Sequence, residues 1–318
     1  MLRLPSEFKP EALPATLPCA QPLDAEQQDK LAALRVQAET LAAAHPDDAA
    51  WLTDACLLRY LRAARWQVAK AAERLGNTLA WRRERRPHVL DPDYVMPEAA
   101  TGKIFVNGFD RYGRPVIYLV PRRENTKPSR RQMDHLIFFL ERAIAAMPPG
   151  VEQVTLIIDF TGASLFNSPG AGVAKETANM LEQHYPERLG SAYIVGAPWF
   201  FGQVFKLVSP FLDTVTRDKI NFVDLKHKPE EPKSTKEAGV EQNGEWTPAG
   251  VPSPMWDIIP PEMLDATIGG RYVFRHEMPT YWEHLLAETV HYSPELPPGV
   301  SATDVANGTV NGVRTEMN

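Results

Sequence analysis

Thr216 and Lys219 are the two side chains of this sequence best placed to bind an anion together. They stand three residues apart in TVTRDK, and on a helix that spacing puts a hydroxyl and an ammonium group on one face. Both groups donate hydrogen bonds to a phosphate or a carboxylate. The segment directly before them, residues 197–212, is almost entirely apolar. An anion site beside apolar surface is typical of a protein that binds an amphiphile.

The apolar segment APWFFGQVFKLVSPFL is predicted to form a helix whose polar residues make only one narrow stripe. Pro198 and Pro210 bracket about a dozen residues, whereas a bilayer span needs roughly twenty. The helix is therefore buried in a core, laid against a membrane or closed over an apolar molecule, and its pattern leaves these three alternatives open. The large side chains that it presents are Trp199, Phe200, Phe201, Val204, Phe205, Leu207, Val208, Phe211 and Leu212.

Catalytic motifs are missing from the sequence. It contains no G-x-S-x-G elbow, no G-x-x-x-x-G-K-[ST] loop and no G-x-G-x-x-G turn. Asp159 ends an apolar strand, where α/β enzymes often hold a carboxylate, but no nucleophile accompanies it, which favours capping of the next loop. His184 and Glu187 are separated by Pro186 and have no third ligand, so we expect no metal site.

Composition narrows the function classes further. The net charge of −6 over 318 residues argues against a general nucleic-acid binder, although residues 82–86 and 122–131 are locally basic. Cys19 and Cys56 offer no disulfide framework, as in a reducing compartment. No signal peptide opens the chain and no apolar run reaches about eighteen residues. We therefore expect a cytoplasmic protein without a spanning helix.

The first third of the chain is helical by pattern. Residues 1–22 are punctuated by proline and are predicted to form an extended arm. Asp24 and Gln27 form a capping box, and an apolar stripe continues until Pro46. Further helices are predicted over residues 54–64 and 67–85. Residues 23–95 thus form a helical layer that packs against a larger domain.

The pattern of the remaining chain indicates an α/β domain over residues 96–293. Strands are predicted at 103–109, 114–120, 154–160, 191–196 and 220–223, and helices at 130–147 and 172–184. Alternation of this kind indicates a mostly parallel sheet that is covered on at least one face. Residues 226–254 form an insertion with little fixed structure, and residues 294–318 a disordered tail.

Several segments taken together resemble the CRAL-TRIO lipid-binding family. They are CLLRYLRAARW (56–66), DRYGRPVIYL (110–119), YPERLG (185–190), the apolar helix with TRDKI, and Gly269-Gly270. Residues 122–150 and YWEHLLAETV (281–290) are similar to the fungal phosphatidylinositol transfer proteins of the branch linked to pleiotropic drug resistance and azole tolerance. The resemblance covers residues 24–290. It implies a sheet that floors a deep apolar pocket, with the apolar helix as its gate.

The resemblance also implies a binding site for the inositol headgroup. The six matching residues are Arg65, Asp110, Glu187, Gly190, Thr216 and Lys219. Ala64 stands where many relatives have a second basic residue, so one phosphate contact is missing here. The chemistry fits the lipid, because its phosphodiester needs a cation and a hydroxyl, and its ring hydroxyls need carboxylate acceptors. The alternative for Glu187 is a surface ion pair with Arg188 or Lys219, worth about 0.5 kcal/mol.

Two functions from different classes follow. The first is a non-enzymatic carrier without a cofactor that moves phosphatidylinositol between membranes and presents it to lipid-modifying enzymes. It would touch membranes only peripherally, with the endoplasmic reticulum, lipid droplets and the cell periphery as candidates. The alternative is an α/β enzyme that acts on a lipid or another apolar substrate through Asp159 or His184.

The strand at residues 154–160 bears on a second ligand. Val154, Leu156 and Ile158 share one face and are expected to form the pocket wall. Relatives that also carry phosphatidylcholine have hydroxyl residues at the positions of Val154 and Leu156. Because both residues are aliphatic here, we expect poor binding of phosphatidylcholine and room for a sterol such as ergosterol.

Overall fold

The amino-terminal helices form a layer with its own small core. The computed structural model describes residues 21–164, 170–198, 201–212, 214–223, 225, 240–242, 245–247 and 254–290. Helix α1 (Ala25–Ala42) starts at the predicted capping box, where Asp24 and Gln27 bond to each other's backbone. It packs on α2 (Asp54–Ala63) and α3 (Val68–Arg85) around Leu34, Leu57 and Leu75. The three predicted helices are confirmed.

Helix α4 (Pro92–Ala99) was not predicted from the sequence. Pro92 is tolerated in its first turn, where no backbone donor is needed, and Asp91 caps it by accepting from the Asp93 N–H. Pro97 lies inside the helix, near its end. Buried contacts with α5 (Arg130–Ala145) hold this short helix in place, and sequence propensity alone does not show such contacts.

A five-stranded sheet forms the centre of the larger domain. Its order is β1 (Ile104–Phe109), β2 (Pro115–Leu119), β3 (Val154–Asp159), β4 (Leu189–Val195) and β5 (Ile220–Val223). Strand β1 runs antiparallel to β2, and the other pairs are parallel, so the predicted mixed α/β class is confirmed. The β1–β2 turn needs a positive φ at its last position, which Gly113 provides at +74°.

The two faces of this sheet differ in burial. One face, here called the closed face, carries Thr155, Ile157 and Val195, all fully buried in the domain core to which α5 contributes. Register places the alternate residues of β2 to β5 together on the opposite, open face. Open-face residues that keep some exposure are Leu119, Leu156, Ile158, Ile220 and Phe222. The closed face supplies the core, whereas the open face is apolar but incompletely covered.

The connection from β4 to β5 crosses the open face. Helix α7 (Phe201–Val208) begins just beyond the carboxyl end of β4 and continues into a 3₁₀ turn (Ser209–Phe211). Helix α8 (Thr214–Asp218) then leads into the amino end of β5. The predicted apolar helix is therefore present, and it passes into the 3₁₀ turn at Pro210, one of the two prolines predicted to bracket it. Trp199 and Phe200, and the side chains of Val204, Val208 and Phe211, lie outside the described residues.

The remaining elements complete the described chain. Helix α6 (Ala171–His184) connects β3 to β4, and α9 (Pro254–Ile258) and α10 (Thr280–Val290) follow the sheet. Within the predicted insertion, β6 (Val240–Gln242) pairs with β7 (Glu245–Thr247). Residues 1–20 of the predicted arm and the predicted tail lie outside the described residues. Across the described ranges, no helix is both long enough and apolar enough to cross a membrane.

Candidate functional site

Residues from four parts of the chain, most of them polar, meet where the parallel strands begin. Arg114 directly precedes β2, Thr155 lies at the start of β3, Gly190 at the start of β4, and Lys219 directly precedes β5. Asp110 joins them because β1 is antiparallel and ends where β2 begins. We call this the amino edge of the sheet. The topology thus brings together residues that are far apart in sequence.

Asp110 is fully buried at the amino edge, and protein donors occupy its carboxylate. One oxygen accepts from the backbone N–H groups of Tyr112 and Arg114, both at 2.9 Å. The other accepts from the Thr155 hydroxyl at 2.7 Å. Burial raises the pKa of this carboxyl, and the Thr155 hydrogen bond opposes that effect. In this structure Asp110 holds the hairpin turn and is not an open acceptor for inositol hydroxyls.

Arg114 is a cation of the amino edge that sequence reasoning missed. Its guanidinium lies 4.7 Å from the centre of the Tyr112 ring, and its Nη1 lies 3.8 Å from an Asp110 oxygen. The buried Nε has no hydrogen-bond partner within the described part of the chain. A Cβ at Gly190 would lie 2.6 Å from that Nε. Gly190 therefore leaves the space that Arg114 occupies, and this is its role in the structure.

Lys219 and Thr216 remain neighbours at the amino edge. Thr216 lies in α8 and Lys219 directly follows that helix, with the Lys219 N–H donating to the Thr216 carbonyl at 3.2 Å. The Lys219 ammonium donates to the Leu189 carbonyl at 2.9 Å, which brings it next to Gly190. Both side chains are half-buried. The Lys219 ammonium thus lies beside Gly190 and, through it, near Arg114.

Glu187 and Arg65 are less clearly connected to this edge. Glu187 is half-buried, Arg65 is exposed, and both adopt positive φ, at 60° and 50°. Among the described residues, neither side chain forms a hydrogen bond or an ion pair. The alternative of a Glu187 ion pair with Arg188 or Lys219 is therefore not observed. Their assignment to the headgroup stays a prediction.

An aromatic cluster joins α7 to the sheet. The Phe201 ring centre lies 4.9 Å from that of Phe160, and the Phe205 centre lies 5.7 Å from that of Phe222. Phe222 nevertheless keeps 55% of its surface exposed. Of the predicted wall residues, Leu156 and Ile158 are half-buried and open to a ligand, whereas Val154 is 4% exposed and offers it almost no surface.

The two residues of the enzymatic alternative have other partners. Asp159 accepts from the Thr161 N–H at 2.9 Å and pairs with Arg122, so the predicted capping role is confirmed. The His184 ring stacks on Trp81 at 4.3 Å, and burial lowers its pKa to about 4. The described part of the chain contains no cluster of three or more His, Cys, Asp or Glu that could hold a metal ion.

Comparison with known sequences places these features in context. Residues 99–236 match the CRAL/TRIO domain, and residues 26–77 match the CRAL/TRIO N-terminal domain. The chain is 40% identical over 236 residues to a CRAL-TRIO domain-containing protein of Schizosaccharomyces pombe, covering 74% of this chain and 20% of that protein. It is 32% identical over 248 residues to the phosphatidylinositol transfer protein PDR17 of Saccharomyces cerevisiae, covering 74% and 63%. Both alignments span less than two thirds of the relative.

The fold is also similar to a solved structure. The crystal structure of Sfh5 superposes with a TM-score of 0.50 over 64% of this chain and 81% of that one. The two sequences are 16% identical in the superposition. At this level of identity the similarity concerns the fold alone.

Proposed function

The chain belongs to the CRAL-TRIO family, and from this we propose that it binds phosphatidylinositol, with the headgroup at the amino edge and the acyl chains on the open face beneath α7. The observation that carries the proposal is that a charged residue and an exposed apolar residue follow each other along β5. Lys219 directly precedes this strand, and Phe222 lies about 10 Å further along it, at ~3.3 Å per residue. The cation is thus placed to contact the phosphate of a phospholipid, and the exposed aromatic ring is placed to contact its acyl chains.

The charges of the amino edge suit a phosphodiester. The Lys219 ammonium and the Thr216 hydroxyl lie on its surface, and Arg114 adds a second cation behind Gly190. The open face suits the acyl chains, because each CH₂ removed from water is stabilised by about 0.8 kcal/mol. Leu156, Ile158 and Phe222 provide partly exposed apolar surface for this purpose.

We further propose that the protein is a carrier and not an enzyme. It would exchange phosphatidylinositol between membranes, present it to lipid-modifying enzymes, contact bilayers peripherally from the cytoplasm and need no cofactor. A relative named as a phosphatidylinositol transfer protein supports this role. An enzyme of the alternative class would return a chemically changed lipid, whereas a carrier returns its lipid unchanged.

The same open face favours a sterol over phosphatidylcholine as a second ligand. Leu156 is aliphatic, and the neighbouring Thr155 hydroxyl is turned to the closed face, where it donates to Asp110. Burying a choline phosphate against this wall without hydrogen bonds would cost at least several kcal/mol. A sterol has a single hydroxyl and needs only one polar partner.

The test is transfer of labelled phosphatidylinositol between vesicles, with mass spectrometry of the lipid that co-purifies. Lys219→Ala should lower affinity about ten- to a hundredfold, since a charge-assisted hydrogen bond contributes roughly 1.5–3 kcal/mol. Arg217→Ala is the matched control, because Arg217 is an exposed cation on the same short helix. Wild-type transfer by a folded Lys219→Ala protein, with Arg217→Ala equally active, would refute the headgroup assignment.

A further inference from the structure

A second pocket lies between the helical layer and the sheet domain, and it touches the amino edge only through Arg188, which directly precedes β4. Its enclosed space is only about 10 Å³, roughly that of one water molecule, and it opens to solvent at its mouth. The helical layer contributes Arg59, Tyr60 and Arg82, and the larger domain contributes Glu141 and Arg188. We call it the arginine pocket. None of the proposed headgroup residues lines it.

The lining of the arginine pocket carries more positive than negative charge. Three guanidinium groups face one carboxylate, that of Glu141. This carboxylate already accepts from Arg82 Nη1 at 3.0 Å and from the Tyr185 hydroxyl at 2.7 Å. His184 also lines the pocket, and its pKa of about 4, lowered by burial, leaves it neutral at pH 7. The pocket therefore keeps an excess of about two positive charges, from Arg59 and Arg188.

Arg59 is the least compensated of these cations. It is 6% exposed, and among the residues that the structure describes no carboxylate lies within ion-pair distance of it. Glu152, whose charge acts on Arg188, is held by Arg62 at 2.5 Å. A buried charge without a partner is costly, so proteins normally pair it or supply an ion.

Two neighbours of Arg59 add to the charge and the donor groups of the arginine pocket. Burial, together with the charge of Arg59, lowers the pKa of the Arg188 guanidinium to about 9. The Tyr60 hydroxyl is buried in the same wall, beside the Thr78 side chain. Burial raises the pKa of this phenol, so it stays a neutral donor.

We propose that the arginine pocket binds an oxyanion of phosphate size, held between the guanidinium groups of Arg59 and Arg188 with the Tyr60 hydroxyl as a third donor. Guanidinium forks match the oxygen spacing of phosphate, and uncharged donors complete its coordination. The enclosed space is smaller than a phosphate, so the anion lies in the open mouth of the pocket. The ion comes either from free inorganic phosphate or from a small phosphate monoester, since both present the same oxygens.

The binding test is titration calorimetry of the full chain with inorganic phosphate, glycerol 3-phosphate or chloride at matched ionic strength. We expect saturable binding of at least one phosphate and none of chloride, and the two phosphate arms distinguish the free ion from the monoester. Arg59→Gln should weaken binding tenfold or more. Lys70→Gln is the matched control, because it removes an exposed cation of the same helical layer. Equal responses to all three salts, or unchanged binding by Arg59→Gln, would overturn the proposal.

Stability measurements separate binding from a structural role. Without phosphate, Arg59→Gln should be at least as stable as the wild type, because it removes an uncompensated buried charge. Phosphate should raise the unfolding temperature of the wild type, but not that of the variant. If Arg59 only supports packing, Arg59→Gln will be less stable in both buffers and phosphate will shift both proteins equally, which would refute the site.

Discussion

Gly190→Ala tests whether Arg114 depends on the space beside β4. The new Cβ would lie 2.6 Å from Arg114 Nε and 2.7 Å from its Cδ and Cζ, too close for any of these atoms to stay. Gly190 has no positive φ, so the effect is one of crowding and not of backbone strain. Displacing a packed side chain in this way costs about 1–3 kcal/mol. The guanidinium also moves relative to the buried carboxylate of Asp110, now 3.8 Å away.

The assay combines thermal unfolding with vesicle transfer. A loss of about 2 kcal/mol should lower the unfolding temperature by roughly 4–8 °C for a domain of 150–250 residues. Transfer of phosphatidylinositol should fall as well, because Arg114 lies beside the proposed headgroup site. Gly172→Ala is the control, since no atom lies within 4 Å of its new Cβ, and its stability should be unchanged or slightly higher.

A double-mutant cycle isolates the contact. In an Arg114→Ala background the added methyl has no guanidinium to displace, so Gly190→Ala should then cost little. The coupling energy should be close to the full 1–3 kcal/mol. Wild-type stability of Gly190→Ala, or an equal loss in both backgrounds, would show that Gly190 does not make room for Arg114.

Three further predictions concern the core, the gate and the pocket wall. His135 is fully buried, and burial lowers its pKa to about 3, so its contribution to stability is complete above the unfolded pKa of ~6.5 and is lost as pH falls toward 3. Between pH 6.5 and 5 the wild type should lose about 1.6 kcal/mol more than His135→Leu in urea unfolding, and parallel curves would contradict this. Hydrogen exchange should show α7 less protected than the sheet and further protected by vesicles, whereas exchange equal to that of the sheet excludes a moving gate. Leu156→Thr, which adds a hydroxyl on the open face, should raise phosphatidylcholine uptake in competition with phosphatidylinositol and ergosterol, while efficient uptake by the wild type would refute the wall argument.

Elements whose burial pattern is local could be predicted from the sequence. The predicted helix at 67–85 and strand at 154–160 agree with Val68–Arg85 and Val154–Asp159 to within one residue at each end. Their apolar periods are long and uninterrupted. Helix α4 was not predicted because its apolar pattern is weak and it contains two prolines, and contacts with the rest of the domain stabilise it. The end of the apolar helix could be predicted because Pro210 is a local signal, and the helix passes into a 3₁₀ turn there.

The candidate site likewise combines residues that a local sequence pattern predicted with residues that only the folded chain brings together. Thr216 and Lys219 could be found because their spacing within one turn is a local signal. The burial of Asp110 could not be inferred, because it depends on Thr155 in a different strand. Arg114 opposite Gly190, and Arg59 near Arg188, are likewise products of the fold. A signal for Arg114 did exist in DRYGR, where an arginine four residues after an aspartate can close a turn.

The unequal faces of the sheet bear on how such a protein can diversify. Residues of the closed face, such as Ile157 and Val195, are fully buried, and substitutions there cost several kcal/mol. Residues of the open face, such as Leu156, Ile158 and Phe222, are only partly covered, so changes there cost much less. Substitutions on the open face can therefore change which ligand is bound, while the closed face keeps the free energy of unfolding of the domain nearly unchanged. Ligand preference should drift faster among descendants of this fold than the fold itself.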